Sequence, residues 1–189
     1  MNFLEILKSV LQGIVQGITE WLPISSTGHM LLLDEFLHMT VSGDPLRNKA
    51  FFDLFKVVIQ FGSILAVVVL YFHKLNPFSR KKSPLERKDT WSLWGKVLIA
   101  SIPAGVVGIL FDDLIDGVLS SPYVIAATLI VYGVLFIVVE SSPRRVKMAT
   151  VESLSWATAF GIGLFQVLSL VPGTSRSGAT ILGGILLGC

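Results

Sequence analysis

Four apolar runs, 51–73, 92–111, 122–140 and 154–171, are each long enough to cross a bilayer as a helix, because about 20 residues span the hydrocarbon core. No other feature narrows the fold as far. Backbone in lipid must satisfy its own hydrogen bonds, so such runs form helices packed into a bundle. The charge content agrees: of 189 residues 52% are hydrophobic and 15% charged, against about 25% charged in an ordinary soluble domain. The expected fold class is an all-α integral membrane protein, one polytopic domain over 1–189. The basic residues sit in short loops, which excludes a nucleic-acid surface and leaves membrane lipids as the surrounding partner. The net charge of +2 adds nothing to that, and the lone Cys189 excludes an internal disulfide framework. Glu5 and Lys8 give no basic leader, so the first segment is expected to be retained.

The loops differ in sign. His73–Thr90 holds Lys74, Arg80, Lys81, Lys82, Arg87 and Lys88; Ser141–Ser153 holds Arg144, Arg145 and Lys147; Phe111–Ser121 holds Asp112, Asp113 and Asp116 and no base. The positive-inside rule places the two basic loops in the cytoplasm and the acidic loop outside. Arg80–Lys82 reads as a topology signal and an anionic-lipid contact.

The ends of the chain are interrupted. Leu4–Leu22 stops at Pro23 and resumes over Ser25–His38; at the other end Pro172-Gly173 stops a run that resumes over Ser177–Gly188. Residues 1–40 read as one broken or re-entrant pair of half-helices, and 172–189 as the start of a second. Irregular backbone at membrane depth is tolerated where it lines a polar cavity. Both breaks run apolar helix, proline, Ser/Thr cluster, glycine, helix, which is the pattern of an inverted repeat with its site at the repeat interface. Coincidence is the competing reading, because Pro, Ser and Gly recur at any helix break.

The polar groups at the breaks are the candidate site. Gln16 and Glu20 are four apart on one helix face; Glu20 reads as a divalent-metal ligand or a general base, or else as an interfacial carboxylate. Ser25, Ser26, Thr27, Gly28 and His29 put three hydroxyls and an imidazole at a helix start, where free N–H groups attract anions. Helix capping explains one of those hydroxyls. In "PGTSRSGAT", Arg176 stands between Ser175 and Ser177, and its planar fork matches phosphate oxygens. Gly173 and Gly178 allow close backbone approach to an anion. Snorkelling to headgroups is the alternative for Arg176. Asp53, Lys56, Gln60 and Ser63 form a polar stripe at helical spacing, read as facing the bundle interior, with an Asp53–Lys56 pair at the mouth.

With those residues in view, the chain resembles the undecaprenyl-diphosphate phosphatase family of the BacA, bacitracin-resistance, type. The resemblance rests on "QGITEWLPISSTGH" (Gln16–His29), "VVIQFGSILAVVV" (Val57–Val69) and "PGTSRSGAT" (Pro172–Thr180). It implies hydrolysis of undecaprenyl diphosphate to the monophosphate lipid carrier of cell-wall synthesis, in a bacterial plasma membrane, with a divalent cation, usually magnesium. The family's acidic motif falls on Gln16 and Glu20, its serine–histidine motif on Ser25, Ser26 and His29, and its arginine motif on Thr174, Ser175, Arg176, Ser177 and Thr180. The implied catalytic set is Ser26, His29, Glu20 and Arg176, with Glu20 on the metal. Ser25, Thr27, Gly173, Thr174, Ser175, Ser177, Thr180 and Gln16 are assigned to the phosphates. Ser26 is expected to attack the terminal phosphorus with His29 relaying its proton, and His29 itself or an activated water stands as the alternative nucleophile. Family members continue with further membrane helices past the arginine motif, so truncation at the C-terminus is expected, with a homodimer as one way to complete the repeat. The cavity is expected to open outward. A lipid-phosphate transporter on the same scaffold, and an inactive fragment, are the rival readings.

Overall fold

The computed structural model describes residues 3–119, 121–142 and 146–189; of the side chains at 112, 113, 116 and 118 nothing is said. The expectations placed on Arg144 and Arg145, and on the side chains of Asp112, Asp113 and Asp116, therefore lie outside the described residues.

Every regular element among the described residues is helical. α1 is Phe3–Thr19, α2 Ser26–Phe36, α3 Pro45–Leu70, α4 Phe72–Leu75, α5 Pro84–Leu119, α6 Pro122–Glu140, α7 Trp156–Gln166 and α8 Arg176–Leu187; a 3₁₀ turn, Val167–Leu170, follows α7. Among the described residues three helices are long and apolar enough to cross a membrane: α3, α5 over Pro84–Phe111, and α6. The apolar run 154–171 is divided between 11-residue α7 and the 3₁₀ turn, and the break at Pro172 follows directly.

The helix starts follow local chemistry. Asp44 accepts the Leu46 N–H ahead of Pro45, and Ser121 accepts the Val124 N–H ahead of Pro122, so each proline sits where a missing N–H costs nothing. At α5, Ser83 Oγ accepts the Glu86 N–H at 3.3 Å and Glu86 Oε2 accepts the Ser83 N–H at 2.7 Å. This reciprocal capping box starts α5 eight residues before the apolar run at 92. The stretch read as the acidic loop Phe111–Ser121 is helical through Leu119. Apolar content marks the part of a helix that lies in lipid and not its ends, and α5 runs on past Pro103, which lies inside it, to Leu119.

The packing is inside-out relative to a soluble bundle. In α1 the buried residues are Glu5, Gln12, Gln16 and Thr19, while Leu4, Leu7, Val10, Ile14 and Ile18 are exposed. Lipid replaces water around such a helix, and polar side chains turn inward to find partners. Glu5 accepts from Lys8 Nζ at 2.8 Å and from the Thr40 N–H at 2.9 Å, and Lys8 also donates to the His38 carbonyl. α1 and α2 thus form a hairpin tied at its open end. α7 and α8 form a second hairpin, with α5 along α7, and α6 touching both α2 and α8. Close approach sets the α5–α7 contact: a Cβ on Gly163 would stand 2.3 Å from the Ala100 carbonyl oxygen, as small residues permit between membrane helices. Tyr132 and Val139 of α6 pack on Ala179 and Leu182 of α8.

Candidate active site

The two helix breaks meet. Ser25 caps α2 by accepting the Gly28 N–H at 3.2 Å, and Ser175 caps α8 by accepting the Gly178 N–H at 3.1 Å. The same Ser-x-x-Gly turn starts both half-helices. A Cβ on Gly28 would lie 3.4 Å from Gly173 Cα of the other break, and one on Gly178 would lie 3.2 Å from the Pro23 carbonyl. Each helix start therefore rests on the other's proline turn. Gly173, at φ +93°, requires glycine twice over. Its backbone is left-handed, and a Cβ would meet Thr128 Oγ1 at 2.1 Å and the Ile125 carbonyl at 2.8 Å. Thr128 Oγ1 lies 2.9 Å from the Pro172 carbonyl and binds the turn to α6.

Ser25 is the non-glycine residue with positive φ among those described, at +63°. Such strain persists where neighbours over-determine it. Here the Ser25 carbonyl receives both the His29 N–H, at 3.1 Å, and the His29 ring, with Nδ1 at 2.8 Å. That contact assigns the proton to Nδ1 and leaves Nε2 as the ring's acceptor.

A cavity of about 440 Å³ opens between the breaks and α3. Glu20, Ser25, Ser26 and Thr27 line it from the first break, and Gly173, Thr174, Ser175, Arg176 and Ser177 from the second. Thr19, Lys49, Asp53, Lys56, Gln60 and Ser169 complete its polar wall. The Ser26 hydroxyl donates to Glu20 Oε2, which also accepts from Gln16 Nε2 at 3.2 Å. Glu20 Oε1 has no hydrogen bond among the described residues. Arg176 is exposed to the cavity and makes no ion pair among the described residues. Lys56 pairs with Asp53 at 2.8 Å and sits 5.2 Å from the Phe52 ring centroid. From Lys49 to Gln60, both lining the cavity, α3 advances eleven residues, about 16 Å along its axis at 1.5 Å per residue.

Three candidates stand off the cavity wall. Gln16 is 2% exposed and lies behind Glu20. His29 is turned onto Ser25 and shares no hydrogen bond with Ser26 among the described residues. Thr180 is one turn into α8, its Oγ1 3.0 Å from the Ser177 carbonyl. Sequence reasoning passed over Lys49, Thr19 and Ser169. For Lys49 a signal existed, since it continues the spacing of Asp53, Lys56 and Gln60 along one face of α3.

The chemistry available is that of an anion site with a nucleophile. Two helix N-termini, each with free N–H groups and the positive end of a dipole, converge with a guanidinium on one space. Beside them a serine hydroxyl is held by a carboxylate, the pairing that activates a weak nucleophile. Among the described residues no three His, Cys, Asp or Glu side chains cluster as a metal cage. One carboxylate with a free oxygen still fits magnesium, which binds through one or two carboxylates and takes its other ligands from water and phosphate.

Comparison with known proteins shows the family. The family model described as bacitracin resistance protein BacA matches residues 9–189. Relatives named undecaprenyl-diphosphatase are 56% identical in Latilactobacillus sakei and 54% in Streptococcus mutans, each over the whole of this chain and over 67% and 66% of their own length. One from Limosilactobacillus fermentum is 57% identical over 98% of this chain and 66% of its own. The chain spans about two thirds of the length of the relatives it matches.

Proposed function

Because this chain belongs to the bacitracin resistance protein BacA family, we propose that it hydrolyses undecaprenyl diphosphate to undecaprenyl phosphate and inorganic phosphate. One observation carries the reading: a single cavity joins the Glu20–Ser26 pair of the first break to Arg176 and the helix start of the second. The isoprenoid tail lies in lipid between helices, and the diphosphate enters the cavity. Arg176 and the N–H groups beginning α2 and α8 neutralise the terminal phosphoryl oxygens, where phosphoryl transfer gathers charge. Ser26 Oγ attacks the terminal phosphorus while its proton passes to Glu20 Oε2. The anhydride P–O bond breaks and the lipid monophosphate leaves. Water then cleaves the phosphoserine, with Glu20 returning the proton to Ser26. The His29 ring, held on the Ser25 carbonyl, braces the strained turn that presents Ser26. Ser25, Thr27, Thr174, Ser175 and Ser177 bind phosphate oxygens, and Gly173 lets the backbone come close. Glu20 is the residue that would hold magnesium, which when bound supplies further neutralisation of the phosphates.

The topology of the site supports an outward opening in a cell membrane. The cavity lies along the N-terminal half of α3, and the basic segment 73–90 follows the opposite end of that helix, which the positive-inside rule assigns to the cytoplasm. The matched Ser-x-x-Gly turns and their reciprocal contacts support an inverted repeat. The test is phosphate release from undecaprenyl diphosphate by the purified chain in detergent, with magnesium and then with chelator. Metal-dependent release is expected. Absence of release from folded protein overturns the hydrolase reading for these residues, and lipid translocation without release would favour a transporter.

A further inference from the structure

Behind the cavity wall a chain of hydrogen bonds runs from α3 to the nucleophile. Ser63 Oγ donates to Gln16 Oε1 at 3.1 Å, Gln16 Nε2 donates to Glu20 Oε2 at 3.2 Å, and Ser26 Oγ donates to the same carboxylate oxygen. Gln16 is 2% exposed, so both ends of its carboxamide need partners inside the protein. The amide turns its NH₂ toward Glu20 and its carbonyl away. The carbonyl then points at α3, where Ser63 is its partner. Ser63 lies three residues beyond Gln60, on the face of α3 that also walls the cavity.

We infer that Ser63 is a positioning residue for the hydrolysis. It fixes the orientation of the Gln16 carboxamide, and through it the placement of the Glu20 carboxylate against the Ser26 hydroxyl. The inference rests on the hydrolase reading for its catalytic consequence, but not for the hydrogen-bond chain itself. Without the Ser63 hydroxyl, Gln16 Oε1 is a buried acceptor with no partner among the described residues. The amide rotates to find another, and its hold on Glu20 loosens. The phosphate-binding half of the site, on α8, is untouched. The loss therefore falls on the chemical step and not on substrate binding.

The test is a double-mutant cycle with Ser63→Ala and Gln16→Met, plus Ser63→Thr, assayed for phosphate release in detergent. Ser63→Ala is expected to lower kcat about three- to tenfold, the effect of one lost internal hydrogen bond, with KM within about twofold of wild type. In the Gln16→Met background, where no amide remains to orient, Ser63→Ala is expected to add nothing, and Ser63→Thr keeps kcat near wild type. Losses that multiply, or a rise in KM with kcat unchanged, overturn the inference. If the wild-type chain releases no phosphate, the hydrolase reading fails. Thermal midpoints of the four proteins of the cycle, without Ser63→Thr, then decide the inference: coupled shifts sustain the Ser63–Gln16 link and additive shifts overturn it.

Discussion

At the scale of single residues the site divides into parts that react and parts that hold. Ser26 and Arg176 are the sharpest tests. Ser26→Ala removes the hydroxyl that Glu20 holds, and phosphate release is expected to fall by a factor on the order of 10³ or more, as when a nucleophile is deleted. Turnover within tenfold of wild type would remove Ser26 as the attacking group. Arg176→Lys retains the charge but loses the planar fork, and a drop in kcat/KM of about 10- to 100-fold is expected. Equal activity would mean that Arg176 acts as a point charge. Much of this was legible in the sequence, because proline, clustered hydroxyls and a lone arginine have few other uses inside an apolar chain. Two things were not legible. The pairing of Ser26 with Glu20, with His29 held on the Ser25 carbonyl, depends on how the six-residue turn between α1 and α2 folds back. The position of Gln16 behind Glu20 depends on which side of α1 faces α3.

At the scale of elements, the half-helix starts and their proline turns form one unit. Gly173→Ala forces a side chain into left-handed backbone and against Thr128 and the Ile125 carbonyl. It should cost about 2–4 kcal/mol, read as a lower thermal midpoint in detergent, with activity falling in parallel. An unchanged midpoint would mean that the turn can move off α6. The breaks themselves were readable, since Pro23 and Pro172 stand beside Ser/Thr/Gly clusters that favour caps and turns, whereas Pro103, in an apolar run, stays inside α5. The length of α5 was not. Hydropathy found its lipid-embedded stretch, while its start is set by the Ser83–Glu86 capping box and its end by Ser121-Pro122. Those are matters of local hydrogen bonding that an apolar window does not register.

At the scale of the whole molecule, the arrangement of charge makes a prediction about sidedness. Gly43, exposed just before α3, is at the rim end of the cavity, and Arg80, also exposed, is in the basic segment beyond the far end. In a Cys189→Ser background, Gly43→Cys is expected to react with a membrane-impermeant maleimide on intact cells, and Arg80→Cys only after permeabilisation. The opposite pattern would place the cavity on the cytoplasmic side. The all-helical membrane architecture was legible from four apolar runs. The inward polar face of α1 was not, because a soluble helix with the same periodicity would be packed the other way round.

The reciprocal seating of α2 and α8 has a further consequence. Two helix N-termini aimed into one space repel each other until something negative lies between them. The protein is thus least comfortable with its centre vacant, and any small oxyanion relieves it. Inorganic phosphate, the lesser product of the proposed reaction, is such an ion. On the proposed reaction, the helix starts that draw the substrate in would also hold the phosphate left after cleavage, so added inorganic phosphate is expected to slow release. How quickly the lipid carrier is returned to use then depends on how dilute phosphate is on the side to which the cavity opens.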